Sequence, residues 1–294
     1  MDKSPFPSER SLNEKLAPLD APNAARESAM ADPLKPDAYR LAFADPEFMA
    51  RREVRGIRFQ LELLKPDLEQ QAHGIEHTVV VYGSARMVDA QTAQARLEQA
   101  QSTGNPVQIQ AAQRDVRNAT RYENARSFAR IVAEHSQHLP QEQRIYICTG
   151  GGPGIMEAAN RGASEAGADN VGLNIFLPHE QHGNPYITPS LSFKFHYFAL
   201  RKMHFMMRAK ALVAFPGGFG TMDELFEVLT LVQTTKAKPV PIVLFDSKFW
   251  KQLFNFDLLV QEGMISAEDL KLFHIVDTPE DAWKVICDFY QLPQ

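Results

Sequence analysis

Three short glycine-rich runs carry the residues best suited to hold an anion: Gly83-Ser84-Ala85, Gly150-Gly151-Gly152-Pro153-Gly154 and Pro216-Gly217-Gly218-Phe219-Gly220-Thr221. Each follows an apolar run and leads towards a helix. Glycine lets the main chain approach a ligand closely, and the N–H groups of a first helical turn bind phosphate oxygens. Gly83, Ser84, Gly151, Gly152, Gly217, Gly218, Gly220 and Thr221 are therefore candidate substrate-binding residues. Close strand–helix packing explains any one such loop equally well; three on one sheet edge favour a ligand site. Neither larger loop satisfies GxGxxG and no GK[ST] follows, which argues against a dinucleotide dehydrogenase and a P-loop NTPase.

A second group of residues bears charge. Leu191–Lys210 holds Lys194, Arg201, Lys202, Arg208 and Lys210 with His196 and His204, and no acid. The segment is expected to be a helix feeding a strand at 211–215, with Lys194, Arg201 and Arg208 on one face at spacings of seven. A solvated basic face and an anion site both fit, and the interleaved Phe and Met residues favour partial burial. Glu224 also has two readings. Thr221-Met222-Asp223-Glu224 matches a capping box that merely starts a helix. A carboxylate at a glycine-rich helix start can equally act as acid, base or cation stabiliser. His179-Glu180-Gln181-His182 lies in a Pro/Gly-flanked loop without an evident third ligand, so no metal is assigned. Cys148 sits inside an apolar strand and is expected to pack rather than react.

The elements that must position these groups follow from the hydrophobic pattern. Apolar runs at 77–83, 144–150, 170–178, 211–218, 239–246 and 274–278 alternate with helix-length segments. Continuous apolar runs mean strands covered on both faces, hence a doubly wound parallel α/β sheet of Rossmann-like type with helices on both faces. Residues 88–120 interrupt the rhythm with an Ala/Gln-rich stretch broken at Gly104-Asn105-Pro106, read as a helical hairpin inserted before a further helix, RYENARSFARIVAEH. Residues 1–40, with six of the 19 prolines, read as a mobile arm. Residues 41–74 read as an N-terminal helical segment packing on the core, its helix starting at Asp45-Pro46-Glu47 and stopped after Lys65 by Pro66. Residues 75–294 form the nucleotide-binding domain on this division.

Composition narrows the class further. The 294 residues carry 31 basic and 36 acidic side chains, a net charge of −5, so neither a nucleic acid polymer nor an anionic membrane is an expected partner. Two cysteines exclude a disulfide framework and a four-cysteine zinc site. The first ten residues lack the apolar stretch of a secretory signal, and no run reaches the ~18 apolar residues of a membrane span, so a reducing cytoplasm is the expected setting.

With these motifs in place, the chain resembles the Lonely Guy (LOG) family. Arg201-Lys202 followed by PGGFGTMDE at 216–224 matches its RK…PGGxGTxxE signature, with TGGGPGIMEAANRGA at 149–163 and GSAR at 83–86 in the same order. The resemblance covers residues 75–291 and is closest to the longer bacterial members. It implies hydrolysis of the N-glycosidic bond of nucleoside 5′-monophosphates, AMP or an N6-modified AMP, to free base and ribose 5-phosphate. It also implies catalytic roles for Arg201 and Glu224, which are expected on opposite walls of one cleft, and substrate contacts from Lys202, Asp223 and Thr230. It calls for no cofactor, and it implies a small-molecule nucleotide substrate and a homodimer or larger homo-oligomer. Leu200 replaces the glutamate that compact members place before the Arg-Lys pair, and the 178–190 loop is longer. The competing reading is a non-catalytic nucleotide or molybdenum-cofactor carrier, which shares the fold and the glycine loops. The lysine decarboxylase label sometimes given to such chains is rejected, because no pyridoxal-bearing lysine with its supporting partners is identifiable.

Overall fold

The computed structural model describes residues 39–176 and 183–292. The mobile-arm reading for residues 1–38 and the His179–His182 loop therefore lie outside the described residues. The chain divides into two compact units, Met1–Leu61 and Glu62–Gln294.

In the first unit, helix α1 (Pro46–Ala50) starts as expected. Asp45 caps it by accepting from the N–H groups of Glu47 and Phe48, and Pro46 takes the first helical position. The expected single helix to Lys65 is corrected. The chain breaks at Arg51, whose ψ of 147° is extended, and helix α2 (Arg55–Ala72) continues straight through Pro66. A proline inside a helix leaves the carbonyl four residues back without its donor. Here that carbonyl belongs to Glu62, and His204 Nε2 lies 3.2 Å from it. Burial lowers the His204 pKa, so the ring is neutral and its Nε2–H donates to the vacant carbonyl.

The second unit is a seven-stranded, all-parallel sheet with helices on both faces. Its strands are β1 (His77–Tyr82), β2 (Ile145–Thr149), β3 (Asn170–Ile175), β4 (Ser192–Phe195), β5 (Ala209–Ala214), β6 (Ile242–Phe245) and β7 (Phe273–Val276). The intervening helices are α3 (Ala90–Thr103), α4 (Pro106–Gln137), α5 (Ile155–Glu165), α6 (Phe198–Met207), α7 (Phe219–Gln233), α8 (Ser247–Leu253), α9 (Phe256–Gln261) and α10 (Pro279–Tyr290). Successive residues of β1 feed opposite cores: Val79 and Val81 pack with Phe128, Ile147 and Val213, whereas Val80 and Tyr82 pack with Phe205, Leu212 and Trp250. Both strand faces are thus dry, which is why the strands read as unbroken apolar runs.

The 88–120 region forms the expected hairpin. Gly104 is left-handed (φ 66°) and ends α3, then Asn105 caps α4 with Pro106 at its first position. Its second leg is not a separate helix, however; α4 runs unbroken for 32 residues and absorbs the helix expected after it. Nothing between Pro106 and Gln137 breaks a helix, and buried Ala112, Ala119, Tyr122, Ala125 and Phe128 carry one apolar face along its length.

The expected helix at 191–210 is corrected too. Ser192–Phe195 is edge strand β4, with Phe193 and Phe195 facing inward and Ser192 and Lys194 outward. Lys194 lies on that strand, and Arg208 follows α6, donating to the carbonyl of Ile75 and pairing with Asp67 at 2.7 Å. Lys194, Arg201 and Arg208 therefore share no helix face.

The sheet order is β4-β3-β2-β1-β5-β6-β7. From β1 the chain builds outward to β4, then crosses to the other side of β1 to lay down β5. The C-terminal ends of β1 and β5 thus flank the point where winding reverses, the place where open α/β sheets leave a crevice for a ligand.

Candidate active site

The loops leaving β1 and β5 meet at that point. Ser84 N–H donates to the carbonyl of Pro216 (3.1 Å), and Ile155 N–H donates to the carbonyl of Ser84 (3.0 Å), so all three glycine-rich runs are tied together. Gly154 has φ 73°, and a Cβ there would lie 2.2 Å from the Ser84 oxygen. Only glycine permits that join.

A cleft of about 940 Å³ opens between these loops. Of the expected residues it is lined by Gly83, Ser84, Arg201, Gly217, Gly218, Gly220, Thr221 and Glu224. Gly151 and Gly152 are not on its lining, although Gly150 is. Instead Gly151 N–H donates to Thr149 Oγ1 (2.9 Å), and Asn184 Nδ2 donates to the carbonyl of Gly152 (3.1 Å) and to Asn160 Oδ1 (2.9 Å). Asn160 in turn donates to Asn170 Oδ1 at 2.8 Å. This buried polar net fixes the shape of the second glycine loop, since each amide group would otherwise be costly to bury.

The capping-box reading of Thr221 and Glu224 is corrected. Helix α7 starts three residues earlier, at Phe219, with Gly218 rather than Thr221 as N-cap and no side-chain cap bond. A Cβ at Gly217 would fall 2.1 Å from Thr221 Oγ1, so the bare backbone at 217 lets the chain turn into the helix early. The first bond of the helical ladder runs from Met222 N–H to the carbonyl of Gly218 (3.1 Å). The N–H groups of Phe219, Gly220 and Thr221 precede it, with the positive end of the helix dipole behind them. That is an anion cradle.

Thr221 and Glu224 lie inside α7 and are buried. Arg201 Nη2 lies 3.2 Å from Glu224 Oε1. The expectation that these two groups face each other from opposite walls is thereby corrected: α6 and α7 bring them into direct contact on one wall. The Arg201 guanidinium lies 5.1 Å from the ring centre of Phe198 and 5.6 Å from that of Phe205. Burial pushes the Glu224 carboxyl up to about 7, against the opposing pull of Arg201 and Lys202. Arg201 Nε and the Tyr82 hydroxyl are buried without a hydrogen-bond partner among the described residues. Unpaired buried donors in a cleft wall suit a site that completes its bonds with a ligand or water.

Lys202, Asp223 and Thr230 lie off the cleft lining. Lys202 Nζ bridges Asp223 (2.9 Å) and Glu227 (2.8 Å), and Thr230 Oγ1 donates to the carbonyl of Phe226. Conversely, the cleft is lined by Tyr82, Arg86, Asn118, Arg121 and Phe249, none singled out from the sequence. Tyr82 immediately precedes the GSAR run at 83–86, and Arg86 ends it. Asn118 and Arg121 reach the cleft only because α4 passes beside it.

Among the described residues no group of three metal-ligating side chains gathers, and no helix is long and apolar enough to cross a membrane. Burial of Cys148 pushes its thiol pKa up, consistent with a packing role.

Comparison with known proteins places this geometry in context. A family model described as "Possible lysine decarboxylase" matches residues 156–286. The chain is 32% identical over 148 residues to the cytokinin riboside 5′-monophosphate phosphoribohydrolase LOG of Oryza sativa subsp. japonica, covering 49% of this chain and 60% of that one. It is 32% identical over 129 residues to LOG7 of Arabidopsis thaliana (42% and 58%), and 31% identical over 150 residues to LOG2 of the same plant (48% and 66%). These alignments span less than two thirds of the relatives' own length. Among solved structures, the molybdenum cofactor binding protein from Rippkaea orientalis matches with a TM-score of 0.44 at 15% identity, covering 72% of this chain and 95% of that one. The Moco carrier protein from Chlamydomonas reinhardtii matches with a TM-score of 0.41 at 19% identity, covering 74% and 97%.

Proposed function

We propose, from the premise that this chain belongs to the LOG family, that it hydrolyses the N-glycosidic bond of nucleoside 5′-monophosphates to free base and ribose 5-phosphate. The observation that carries this reading is the buried Arg201–Glu224 pair beside a helix start with open amides, in one cleft at the sheet's winding reversal. The 5′-phosphate binds the N–H groups of Phe219, Gly220 and Thr221, where Gly217 and Gly218 leave room for its oxygens. Binding energy at the phosphate then holds the ribose C1′ beside Glu224.

As the C1′–N bond lengthens, its electron pair leaves with the base and positive charge spreads over C1′ and the ring oxygen. Ionised Glu224 stabilises that charge and orients a water on C1′. The water adds its hydroxyl to C1′ and its remaining proton passes to the carboxylate; the base takes up one proton from solvent at the nitrogen released, and Glu224 returns its proton to solvent, so that one water is consumed in all. Arg201 orients Glu224 and keeps part of the population ionised despite burial.

The catalytic machinery is thereby assigned to residues 75–294, acting in the cytoplasm as a homodimer or larger homo-oligomer. A carrier needs no buried acid–guanidinium pair beside its anion cradle, so the pair favours the enzyme. The test is a panel of nucleoside 5′-monophosphates with purified protein, free base and ribose 5-phosphate being quantified by chromatography. Equimolar release of both is expected, and Glu224→Gln should reduce it at least about 100-fold. A wild-type protein that releases neither from any member of the panel refutes the reading.

A further inference from the structure

Resting on that hydrolase reading, we infer that Glu62 is a positioning residue: by holding α6 from α2 it sets Arg201 against Glu224, and so extends the working parts of the site beyond residues 75–294.

Arg201 has little to fix it directly. Among the described residues its side chain donates to Glu224 (3.2 Å), and the two rings beside its guanidinium, Phe198 and Phe205, belong to its own helix. Where the guanidinium sits therefore follows from where α6 sits. That helix starts without help from its own sequence. Tyr197 at the N-cap makes no side-chain cap bond, and the first turn holds no acid.

Glu62, in the part of α2 that belongs to the second unit, supplies what is missing. Its Oε1 accepts from His196 N–H (3.0 Å) and its Oε2 from Tyr197 N–H (3.2 Å), so both carboxylate oxygens close on the two amides that lead into α6. The negative charge also faces the positive end of the helix dipole. The next bond in line runs from Arg201 N–H to the carbonyl of Tyr197 (3.2 Å). A single residue, Tyr197, thus links the Glu62 carboxylate to the backbone of Arg201. The main-chain carbonyl of Glu62, left vacant by Pro66, holds the same helix a second time through His204. At the far end of α6, Arg208 pairs with Asp67 of α2 and donates to the carbonyl of Ile75.

This hold bears on the charge of the site. Arg201 and Lys202, the cations that oppose the rise of the Glu224 pKa, both ride on α6, whereas Asp223 and Glu227, which reinforce it, share α7 with Glu224. Tyr82, at the end of β1, is the further titratable neighbour. Loosening α6 therefore withdraws the cations alone. A cap that only stabilised the helix would leave the ionisation of Glu224 where it is.

Two readouts separate these cases: kcat and KM for base release, and the ionisation midpoint of Glu224 in the free protein, followed by carboxyl-carbon NMR with Glu224→Gln to assign the signal. Glu62→Ala keeps the main-chain carbonyl and the helix propensity of α2. It should lower kcat at pH 7 at least about tenfold and leave KM within about twofold, because the phosphate cradle lies on α7. The Glu224 midpoint should rise by at least about half a pH unit. Glu62→Gln, which keeps one accepting oxygen, should show smaller changes in the same directions, and serves if the first variant does not fold. Glu69→Ala, exposed on the same helix, should change neither readout. A folded Glu62 variant that is less stable but has unmoved kcat and midpoint is a structural cap only and overturns the inference. So does an equal effect of Glu69→Ala. A midpoint that rises in the Glu62 variants of a protein whose wild type turns over no nucleotide leaves the hold of Glu62 on the site standing and removes the hydrolase reading instead.

Discussion

On the proposed hydrolase reading, the burial of Glu224 makes its ionisation the controlling variable of the reaction. Its carboxyl is pushed from 4.5 up to about 7, burial being the main cause, with Glu227 and Asp223 reinforcing it and Arg201 and Lys202 opposing. If the ionised form does the work, one proton equilibrium near pH 7 sets the rate. One unit below that value about one molecule in eleven is ionised, and one unit above it about ten in eleven, so kcat should rise about tenfold between pH 6 and pH 8. Saturating nucleotide is required, because the free substrate's phosphate also titrates near pH 6.

The same shift acts on stability. A folded-state value above the unfolded one gives stability that is complete below pH 4.5 and lost as pH rises through 7. At about 1.36 kcal/mol per unit, 2.5 units amount to up to about 3 kcal/mol. Urea unfolding of wild type should therefore show a decline from pH 4.5 to pH 8 that Glu224→Gln lacks. A kcat that stays flat across pH 6–8 breaks the link between Glu224 and the chemistry. A kcat that falls means the carboxyl works protonated, as a general acid.

Two further outcomes follow from the same wall of the cleft. Arg201→Ala removes the guanidinium that holds Glu224 down, so the midpoint of the kcat profile should move above pH 7 and activity at pH 7 should drop at least about 100-fold; an unmoved midpoint contradicts the assigned role of Arg201. Gly217→Ala sets a methyl 2.1 Å from Thr221 Oγ1 and should raise the KM for the nucleotide at least about tenfold, whereas Gly218→Ala meets nothing within 4 Å and should leave the unfolding midpoint unchanged. Equal effects of the two substitutions on KM and on stability would show that the loop does not depend on close approach at 217.

The sheet was legible because its physics is repeated at short range. β1, β2, β5 and β6 are dry on both faces, so each announces itself as an unbroken apolar run without help from any other part of the chain. β4 was not. Its four residues alternate between core and solvent at the sheet edge, and Phe193 and Phe195 merge with the apolar residues of α6 into a single helix-like stretch. Pro66 misled for a related reason. A proline reads as a stop because its carbonyl partner is lost locally, but the replacement donor comes from His204, 142 residues from the carbonyl it serves.

Glu224 shows where local reading stops being decisive. Thr221 and Glu224 have the spacing of a capping box, and nothing within four residues distinguishes a cap from a catalytic acid. What separates them is where the helix begins, and that depends on Gly217 having no side chain against Thr221. Starting at Phe219 moves Glu224 a full turn into the helix, where it can no longer reach back to a terminal amide and instead meets Arg201 from α6. The Arg121–Asp246 contact is likewise far from any local signal, its partners lying 125 positions apart in the chain, with Arg121 on the long helix α4. The motif thus marks the wall of the cleft, and the contacts that shape that wall arise only when the chain is folded.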